Sequence, residues 1–266
     1  RSAATAAANA AVESLVPVGS APYAVGKIRG TVKFELGAGG AGGGGGGAPP
    51  GDPGAPILYQ VDRLRDGRSF TTRRVVAIQH GEVIFNLQAS FHAPEEGLSH
   101  QVPMPDVPDA ESLPDFKTRM APHKHLLGEW YDRPRPIDIR YVDGDPMSRS
   151  RTPTVQQKVW LRADGTLPDD PTLHACIVTY ASDMTLLDTT VLPHGLNWTD
   201  SGLQMASLDH AMWFHRPFRA DEWLLYDQMT PTTSGARGLA TGSIYTHDGQ
   251  LAITVVQEGL IRRERS

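Results

Sequence analysis

The sequence predicts an α+β fold built from two similar halves, each with one helix laid on an antiparallel sheet. In both halves a helix-forming segment precedes strand-like runs joined by tight turns, and this repeated order indicates a duplicated unit. Four pairs of identical or similar residues also share a spacing of 169 positions between the halves, among them Gln88 and Gln257. Such sparse matching also arises by chance, so the order of elements carries the prediction.

The first half is assigned to residues 1–92. Its start, residues 2–15, is rich in alanine, the best helix former, and holds no breaker before Pro17, so a helix is expected. A short β-like run near residues 23–36 follows. The glycine-rich tract at residues 37–54 cannot bury enough surface to offset the entropy of ordering it, which predicts a mobile loop.

Three strand-like runs complete the first half: ILYQVDRL, FTTRRVVAIQ and EVIFNLQASF. Turns at Asp66-Gly67 and His80-Gly81 separate them, so we expect an antiparallel meander. Residues 93–136 contain eight prolines and show neither helical nor strand periodicity. We assign them to a connector between the halves.

The second half is assigned to residues 137–266. QQKVWLRA predicts a strand, and TLHACIVTYA is a helix-forming run ahead of Ser182. Three further β-like runs follow: GLQMASLDHAMWFHRPF, EWLLYDQMTP and RGLATGSIYT. The last of them turns at Asp248-Gly249 into a fourth strand-like run, QLAITVVQEGLI.

The composition excludes several classes of protein. The 266 residues, 39% of them hydrophobic, can fill one large or two ordinary cores. A net charge of −5 without a basic stripe argues against a nucleic-acid partner, and no run approaches the ~18 apolar residues of a membrane-spanning helix. Cys176 is the only cysteine, which favours a reducing compartment such as the cytoplasm. The ending RRERS does not match the S-K-L type of peroxisomal signal.

Three short polar side chains, Asp183, Ser207 and Gln257, lie in segments that are otherwise built for burial, where polar groups need partners. The Ser-Asp-Met-Thr sequence at residues 182–185 is typical of a helix start, whose free N–H groups favour an oxyanion or a polarised carbonyl. If Ser207 and Gln257 project from neighbouring strands, the three side chains can hold one water molecule. Asp183 would accept its proton, and the other two would fix its direction.

Each of these residues also has a simpler interpretation. Taken alone, Asp183 is more often a helix cap, Ser207 a hydrogen-bonded strand hydroxyl, and Gln257 a core amide bonded to the main chain. Other chemistry finds less support. Ser207 does not lie in a G-x-S-x-G motif, the glycine-rich tract lacks the lysine of a P-loop, and the histidine spacing matches no zinc signature, so no metal is expected.

Two long stretches, ASLDHAMWFHRPFRADEWLLYDQ and SGARGLATGSIYTHDGQLAITVVQEGLIR, resemble the carboxyl-terminal signature of the acyl-CoA thioesterase II family. The upstream YASDMTLLDTTVLPHG and the first-half DGRSFTTRRVVAIQHGEVIFNLQASF are similar to the same family, so the resemblance covers most of residues 55–262. It implies a double hotdog fold, in which each half wraps a sheet around a central helix. It also implies hydrolysis of fatty acyl-CoA to free fatty acid and CoA, with no cofactor.

In that family an Asp, a Ser or Thr, and a Gln together orient the attacking water. Matched motif by motif, these are Asp183 of S-D-M, Ser207 before L-D-H and Gln257 of V-Q-E-G. The resemblance further implies that the chain self-associates. Compared with the family pattern, a strand before the first helix is expected to be absent from this sequence, and the tract at residues 37–54 is expected to replace part of the first sheet.

Coenzyme A carries phosphates, so local cationic contacts are expected on this mildly acidic chain. The candidate residues are Arg73, Arg74, Arg216 and Arg237. Two other functions stay open: a non-catalytic hotdog protein that binds acyl-CoA, and a hotdog enoyl-CoA hydratase. Asp209-His210 supplies the residue types of a hydratase, although neighbours on a strand point to opposite faces.

Overall fold

The computed structural model describes residues 51–52, 54–148 and 152–263, together with the backbone of residues 30–36. The helix predicted over residues 2–15 lies outside this part of the chain, as does most of the loop predicted at residues 37–54. Within the described residues, no helix has both the length and the apolar character needed to cross a membrane.

Antiparallel strands make up most of the described chain. They are β1 Gly30–Leu36, β2 Leu58–Asp66, β3 Phe70–Gln79, β4 Glu82–His92, β5 Ile137–Tyr141, β6 Gln156–Ala163, β7 Leu203–Ser207, β8 Asp209–Phe214, β9 Leu224–Ser234, β10 Arg237–Thr246 and β11 Leu251–Arg263. They form one sheet in the order β2-β3-β4-β1-β8-β11-β10-β9-β6-β5, and β7 pairs with β11. Because β1 pairs with both β4 and β8, it joins the hairpins of the first half to those of the second.

The predicted strand FTTRRVVAIQ is confirmed as β3 at both of its ends. The β-like run GLQMASLDHAMWFHRPF forms two strands, because the chain breaks at Leu208 into β7 and β8. Leu208 N donates to Glu258 O at 2.9 Å, and Glu258 N donates to the Asp209 carboxylate at 2.8 Å. β11 therefore pairs with both strands, and Ser207 lies at the corner between them.

The proline-rich segment contains short helices that its sequence pattern did not indicate. They are α1 Phe116–Met120, α2 Lys124–Leu127 and α3 Glu129–Asp132, with 3₁₀ turns at Ala110–Ser112 and Ala121–His123. Each is too short to show a helical repeat in the sequence. The segment is bound to the second-half strands, since Trp160 Nε1 donates to Pro108 O at 3.0 Å and Arg140 donates to Ala110 O at 2.9 Å.

Helix α4, Pro171–Ser182, is the long helix of the second half. The Asp170 carboxylate accepts a hydrogen bond from Thr172 N at 2.9 Å and so satisfies one of the free N–H groups at the helix start. Pro171 suits the first helical position, where its missing N–H costs nothing. The side chains that α4 buries in the core are Ala175, Cys176, Val178 and Ala181.

The predicted helix start at residues 182–185 was wrong, because α4 ends at Ser182 and Asp183 is its C-terminal cap. A 3₁₀ helix, Leu187–His194, follows after a short turn. The Ser-Asp-Met-Thr sequence resembled a start because serine and aspartate cap helices, but here the chain forms a second helical segment directly after the first. The helix start lies instead at Asp170.

The correspondence of Gln88 with Gln257 was also wrong in three dimensions. Gln88 is exposed on β4, whereas Gln257 is fully buried on β11. Side chains alternate between the faces of a strand, so an alignment that is one position out exchanges buried for exposed residues. The residues on either side of Gln88, Leu87 and Ala89, are fully buried, and neither can supply a polar group.

A glycine on β10 makes room for the ring of Tyr226. A Cβ at Gly242 would overlap that ring, which is completely buried on the neighbouring strand β9. The Tyr226 hydroxyl donates to Ser182 O at 3.2 Å and so ties the end of α4 to the sheet. Because Gly242 has no side chain, the Tyr226 ring can take this position and hold Ser182. Asp183, the next residue, is thereby held in place as well.

We therefore expect Gly242→Ala to lower the free energy of unfolding by about 1–3 kcal/mol, because a fully buried ring and two strands must shift to admit the methyl group. Urea unfolding of the purified variant measures this. Gly97→Ala is the matched control, since its added Cβ would meet no atom within 4 Å. Equal stability of the two variants would contradict the expectation.

Candidate active site

Asp183, Ser207 and Gln257 come from three separate elements and meet at one point. Asp183 caps α4, Ser207 ends β7, and Gln257 lies within β11. Ser207 is opposite Gly259 in the sheet, and Gly259 faces the same side as Gln257 because the two are two positions apart. The Leu187 side chain fills the space over Gly259, so this is the face on which the 3₁₀ helix packs.

The three side chains are joined by direct hydrogen bonds. Gln257 Nε2 donates to Asp183 Oδ1 at 2.5 Å and to Ser207 Oγ at 2.9 Å. Ser207 Oγ donates to the same Asp183 oxygen at 3.3 Å. Gln257 is fully buried, whereas the Asp183 side chain keeps 27% of its exposure. Asp183 Oδ2 accepts no hydrogen bond from the described residues, so this second oxygen is available to a water molecule.

His210 on β8 lies beside this group. It is buried, with Nδ1 4.0 Å from Asp183 Oδ1 and Nε2 2.8 Å from Ser182 Oγ. The Ser182 hydroxyl has one hydrogen and donates it to Thr179 O at 2.9 Å. Ser182 Oγ and His210 Nε2 are hydrogen-bonded to each other, and the other ring nitrogen, Nδ1, lies on the side of Asp183.

Burial lowers the pKa of His210, although the nearby carboxylates of Asp183 and Asp209 act in the opposite direction. The desolvation of a charged ring outweighs their attraction, so the imidazole is neutral near neutral pH. Asp209 itself is turned to the main chain, where it accepts from Glu258 N. The side chains of Asp209 and His210 thus contact different groups, because neighbouring side chains on a strand point to opposite faces.

A second carboxyl group lies close to Asp183. Burial, together with the charge of Asp183, raises the pKa of Asp188 to about 8. Asp188 belongs to the 3₁₀ helix that follows Asp183. The acid is therefore protonated at neutral pH, which spares the site a second negative charge.

The position of Asp183 at the C-terminal end of α4 changes the predicted electrostatics. A helix carries partial negative charge at this end, which disfavours a carboxylate. The hydrogen bonds from Ser207 and Gln257 offset that effect. The positive N-terminus lies about 18 Å away, at 1.5 Å for each of the twelve residues, so it cannot polarise a carbonyl beside Asp183.

The four arginine candidates are dispersed. Arg73 is buried and held by Asp66 and main-chain oxygens, and Arg74 binds Asn86 at 2.9 Å. Arg237 is exposed and lies 3.6 Å from Glu258. Arg216 lines a cleft at the opposite end of α4 from Asp183. None of the four makes a hydrogen bond to the Asp183 group, and their contacts with phosphate stay a prediction.

Sequence reasoning did not select His210 or Asp188 for this site. For His210 the available signal was the Asp209-His210 pair. Because neighbouring residues on a strand point to opposite faces, Asp209 was not expected to contact the imidazole. Asp188 carried no signal, since one acid in TLLDTT is equally typical of a solvated turn. Among the described residues, no cluster of three His, Cys, Asp or Glu side chains is placed to hold a metal ion.

Two family models match the chain. One, described as acyl-CoA thioesterase, matches residues 143–260, which contain the three site residues. The other, described as the acyl-CoA thioesterase N-terminal domain, matches residues 48–92. Human acyl-coenzyme A thioesterase 8 is 42% identical over 224 residues, which cover 80% of this chain and 70% of the human protein.

Solved structures resemble the chain over nearly its whole length. An acyl-CoA thioesterase II from Mycobacterium marinum superposes with a TM-score of 0.73 at 40% identity, covering 98% of this chain and 90% of that one. A hot dog fold protein from Alicyclobacillus acidocaldarius superposes with a TM-score of 0.67 at 18% identity, over 92% and 83% of the two chains. The second likeness concerns the fold alone.

The raised pKa of Asp188 makes stability depend on pH. The carboxyl binds a proton below about pH 8 when folded but only below about pH 3.8 when unfolded, so stability falls as the pH rises between these values. We expect Asp188→Asn to abolish this fall and to raise the free energy of unfolding at pH 8. The increase should be about 1–2 kcal/mol, less than the full shift implies, because the side chain retains some contact with water.

Urea unfolding at several pH values between 4 and 8 measures this effect. Asp164→Asn, at an exposed position, is the control and should leave the pH dependence unchanged. A decline with pH as steep in Asp188→Asn as in the unmodified protein would refute the assignment.

Proposed function

Because the chain belongs to the acyl-CoA thioesterase II family, we propose that it hydrolyses fatty acyl-CoA by direct attack of a water molecule that Asp183 activates. The chain is an acyl-CoA thioesterase with a double hotdog fold.

One observation carries the proposal: Ser207 and Gln257 both donate to a single oxygen of Asp183. These bonds hold the carboxylate in one orientation and leave Oδ2 to accept a proton from water. The partial exposure of Asp183 gives a water molecule access.

The reaction then follows from these positions. The water molecule gives a proton to Asp183 while the water oxygen forms a bond with the thioester carbonyl carbon. A tetrahedral oxyanion results. Collapse of that intermediate breaks the carbon–sulfur bond, and the proton on Asp183 passes to the CoA thiolate. Ser207 and Gln257 contribute by fixing the carboxylate and the water, which lowers the entropic part of the barrier. No acyl group is attached to the protein at any step.

A neutral His210 suits this scheme. An imidazolium 4.0 Å from Asp183 would attract the carboxylate and weaken it as a proton acceptor. Burial suppresses that form, so Asp183 has only neutral donors around it. We infer that His210 supports Asp183 without carrying charge itself.

The closeness of His210 to Asp183 is the one observation that favours a hydratase as a second candidate, since hotdog hydratases use an Asp and a His together. Against it, His210 Nε2 is bound to Ser182 and the ring is buried. We expect any loss of the enoyl-thioester absorbance on incubation with enoyl-CoA to be matched by release of CoA thiol, because hydrolysis of the thioester also removes that absorbance. Loss of the absorbance without release of thiol would support the hydratase.

For the hydrolase, we expect Asp183→Asn to lower kcat by about 10²–10⁴-fold, because an amide of the same shape cannot accept the proton of water. Ser207→Ala should lower kcat less, since it removes only one of two donors to Asp183. Thiol release from long-chain acyl-CoA, followed with Ellman's reagent, measures both rates.

Asp164→Asn controls for the loss of an acid elsewhere in the same half, and thermal melting checks that each variant is folded. Rates for Asp183→Asn that equal those of the unmodified protein would rule out the mechanism. If the unmodified protein binds acyl-CoA but releases no thiol, the non-catalytic alternative is correct.

A further inference from the structure

His210 and Gln257 face each other where β8 pairs with β11. Val256 is opposite Ala211 in this pairing, so the same register continued by one position places Gln257 opposite His210. Side chains of directly opposite residues lie on the same face of a sheet, with their Cβ atoms about 4.5–5.5 Å apart. His210 is 3% exposed and Gln257 is fully buried, so their contact is shielded from bulk solvent.

The amide of Gln257 has a donor end and an acceptor end, and the mechanism described above uses only the donor end. The two hydrogens of Nε2 go to Asp183 Oδ1 and to Ser207 Oγ. The other end, Oε1, is buried, and no described residue donates to it in full hydrogen-bond geometry. A buried acceptor needs a donor. The group that supplies this donor also decides how Gln257 presents Nε2 to the site.

The imidazole of His210 is the group that meets Oε1. Burial lowers the pKa of His210, and contact with the Gln257 side chain acts in the opposite direction, as an acceptor oxygen does. Because Asp183 and Ser207 occupy Gln257 Nε2, the atom that faces the ring is Oε1. His210 Nδ1 also lies 4.0 Å from Asp183 Oδ1. A hydrogen on Nδ1 is therefore directed at two acceptors, whereas a lone pair on Nδ1 would be repelled by both.

Ser182 can support that form of the ring. A neutral imidazole has one N–H, so a hydrogen on Nδ1 leaves Nε2 as an acceptor. Ser182 Oγ is completely buried and lies 2.8 Å from Nε2. The hydroxyl hydrogen, which donates to Thr179 O, turns about the Cβ–Oγ bond and also reaches Nε2. Ser182 can thus supply the hydrogen bond that an Nδ1–H imidazole requires at its other nitrogen.

We propose that His210 is a positioning residue, which carries its hydrogen on Nδ1, accepts from Ser182 at Nε2 and donates to Gln257 Oε1. It acts through Gln257 and does not touch the substrate. Catalytic hydrogen bonds are often poorly aligned without substrate and tighten when it binds, and the donation to Oε1 is of this kind. The inference rests on the proposed function, in which Asp183 accepts a proton from water.

The reaction itself explains why Gln257 needs to be held at both ends. While Asp183 is charged, its oxygen attracts Gln257 Nε2 strongly. Once Asp183 has taken the proton of water, it is neutral and this attraction weakens. The donation from His210 to Oε1 does not depend on the charge of Asp183. It keeps the amide from turning over, so Asp183 and Ser207 keep the same donor throughout the reaction.

Two substitutions of His210 separate the roles of its two ring nitrogens. The side-chain amide of asparagine reaches the place of Nδ1, so His210→Asn retains a donor for Gln257 Oε1. The longer glutamine reaches the place of Nε2, so His210→Gln retains the contact with Ser182 and loses the donor to Oε1. His125→Gln, at an exposed position, is the control for loss of one imidazole. Thermal melting checks that each variant is folded.

We expect His210→Gln to lower kcat for acyl-CoA about tenfold, as the loss of one hydrogen bond in the transition state does, with little change in KM. His210→Asn should keep most of the activity, and His125→Gln should match the unmodified protein. Equal losses in the two His210 variants, or full activity of His210→Gln, would overturn the proposal. Asp183→Asn, measured alongside, reports separately on the proposed function: if it is as active as the unmodified protein, the water mechanism fails.

Nitrogen NMR of the protein labelled with nitrogen-15 histidine tests the proposal without any enzymatic activity. Near neutral pH the signals of His210, assigned by their loss in His210→Asn, should show a protonated Nδ1 and an unprotonated Nε2. Ser182→Ala should shift the Nε2 signal, because the hydroxyl donor is lost. A ring that carries hydrogen on Nε2, or on both nitrogens, would refute the assignment. If His210→Gln does not fold, this measurement still decides the question.

Discussion

Two hydrogen bonds to one oxygen of Asp183 hold the candidate active site together. Gln257 comes from β11 and Ser207 from β7, and both donate to Oδ1. The carboxylate lies at the unfavourable end of α4, where neither the helix nor the described positive side chains stabilise its charge. The position of Asp183 therefore depends on strands that are remote from it in sequence, and on β11 above all, because β11 pairs with β7 and β8.

Close packing sets these groups at the right distance. Leu187 fills the space over Gly259, and the Tyr226 ring occupies the space left by Gly242, so the sheet approaches the end of α4 where glycine allows it. The Tyr226 hydroxyl then binds Ser182 O, one residue before Asp183. Closely packed protein interiors resist small displacements, so this packing holds the Asp183 carboxylate in a defined position. The neutral state of His210 and of Asp188 is a further consequence of burial, and it leaves Asp183 as the charged group of the cluster.

Part of the fold could be predicted from local patterns. The runs that became β3 and β10 were correctly delimited because alternation and turn residues mark their ends. The helix predicted from the run before Ser182 was confirmed. Asp183 was expected to start a helix, whereas it lies at the C-terminal end of α4. The error arose because serine and aspartate can begin a helix or follow one. The break between β7 and β8 depends on pairing with β11, which no local signal in the sequence marks. The segment around the 3₁₀ turn at Ala110–Ser112 is held against the second-half strands by Trp160 and Arg140.

The sequence by itself determined which residue types are present and, through the motifs of a known family, that Asp183, Ser207 and Gln257 belong together. Local preference and a conspicuous motif are properties of the chain before it folds. Only the folded chain decided which oxygen of Asp183 is held. It also decided which way His210 faces and how far the start of α4 lies from the carboxylate. These relations join residues that are tens of positions apart, and they follow from strand register and burial, which no short stretch of sequence contains.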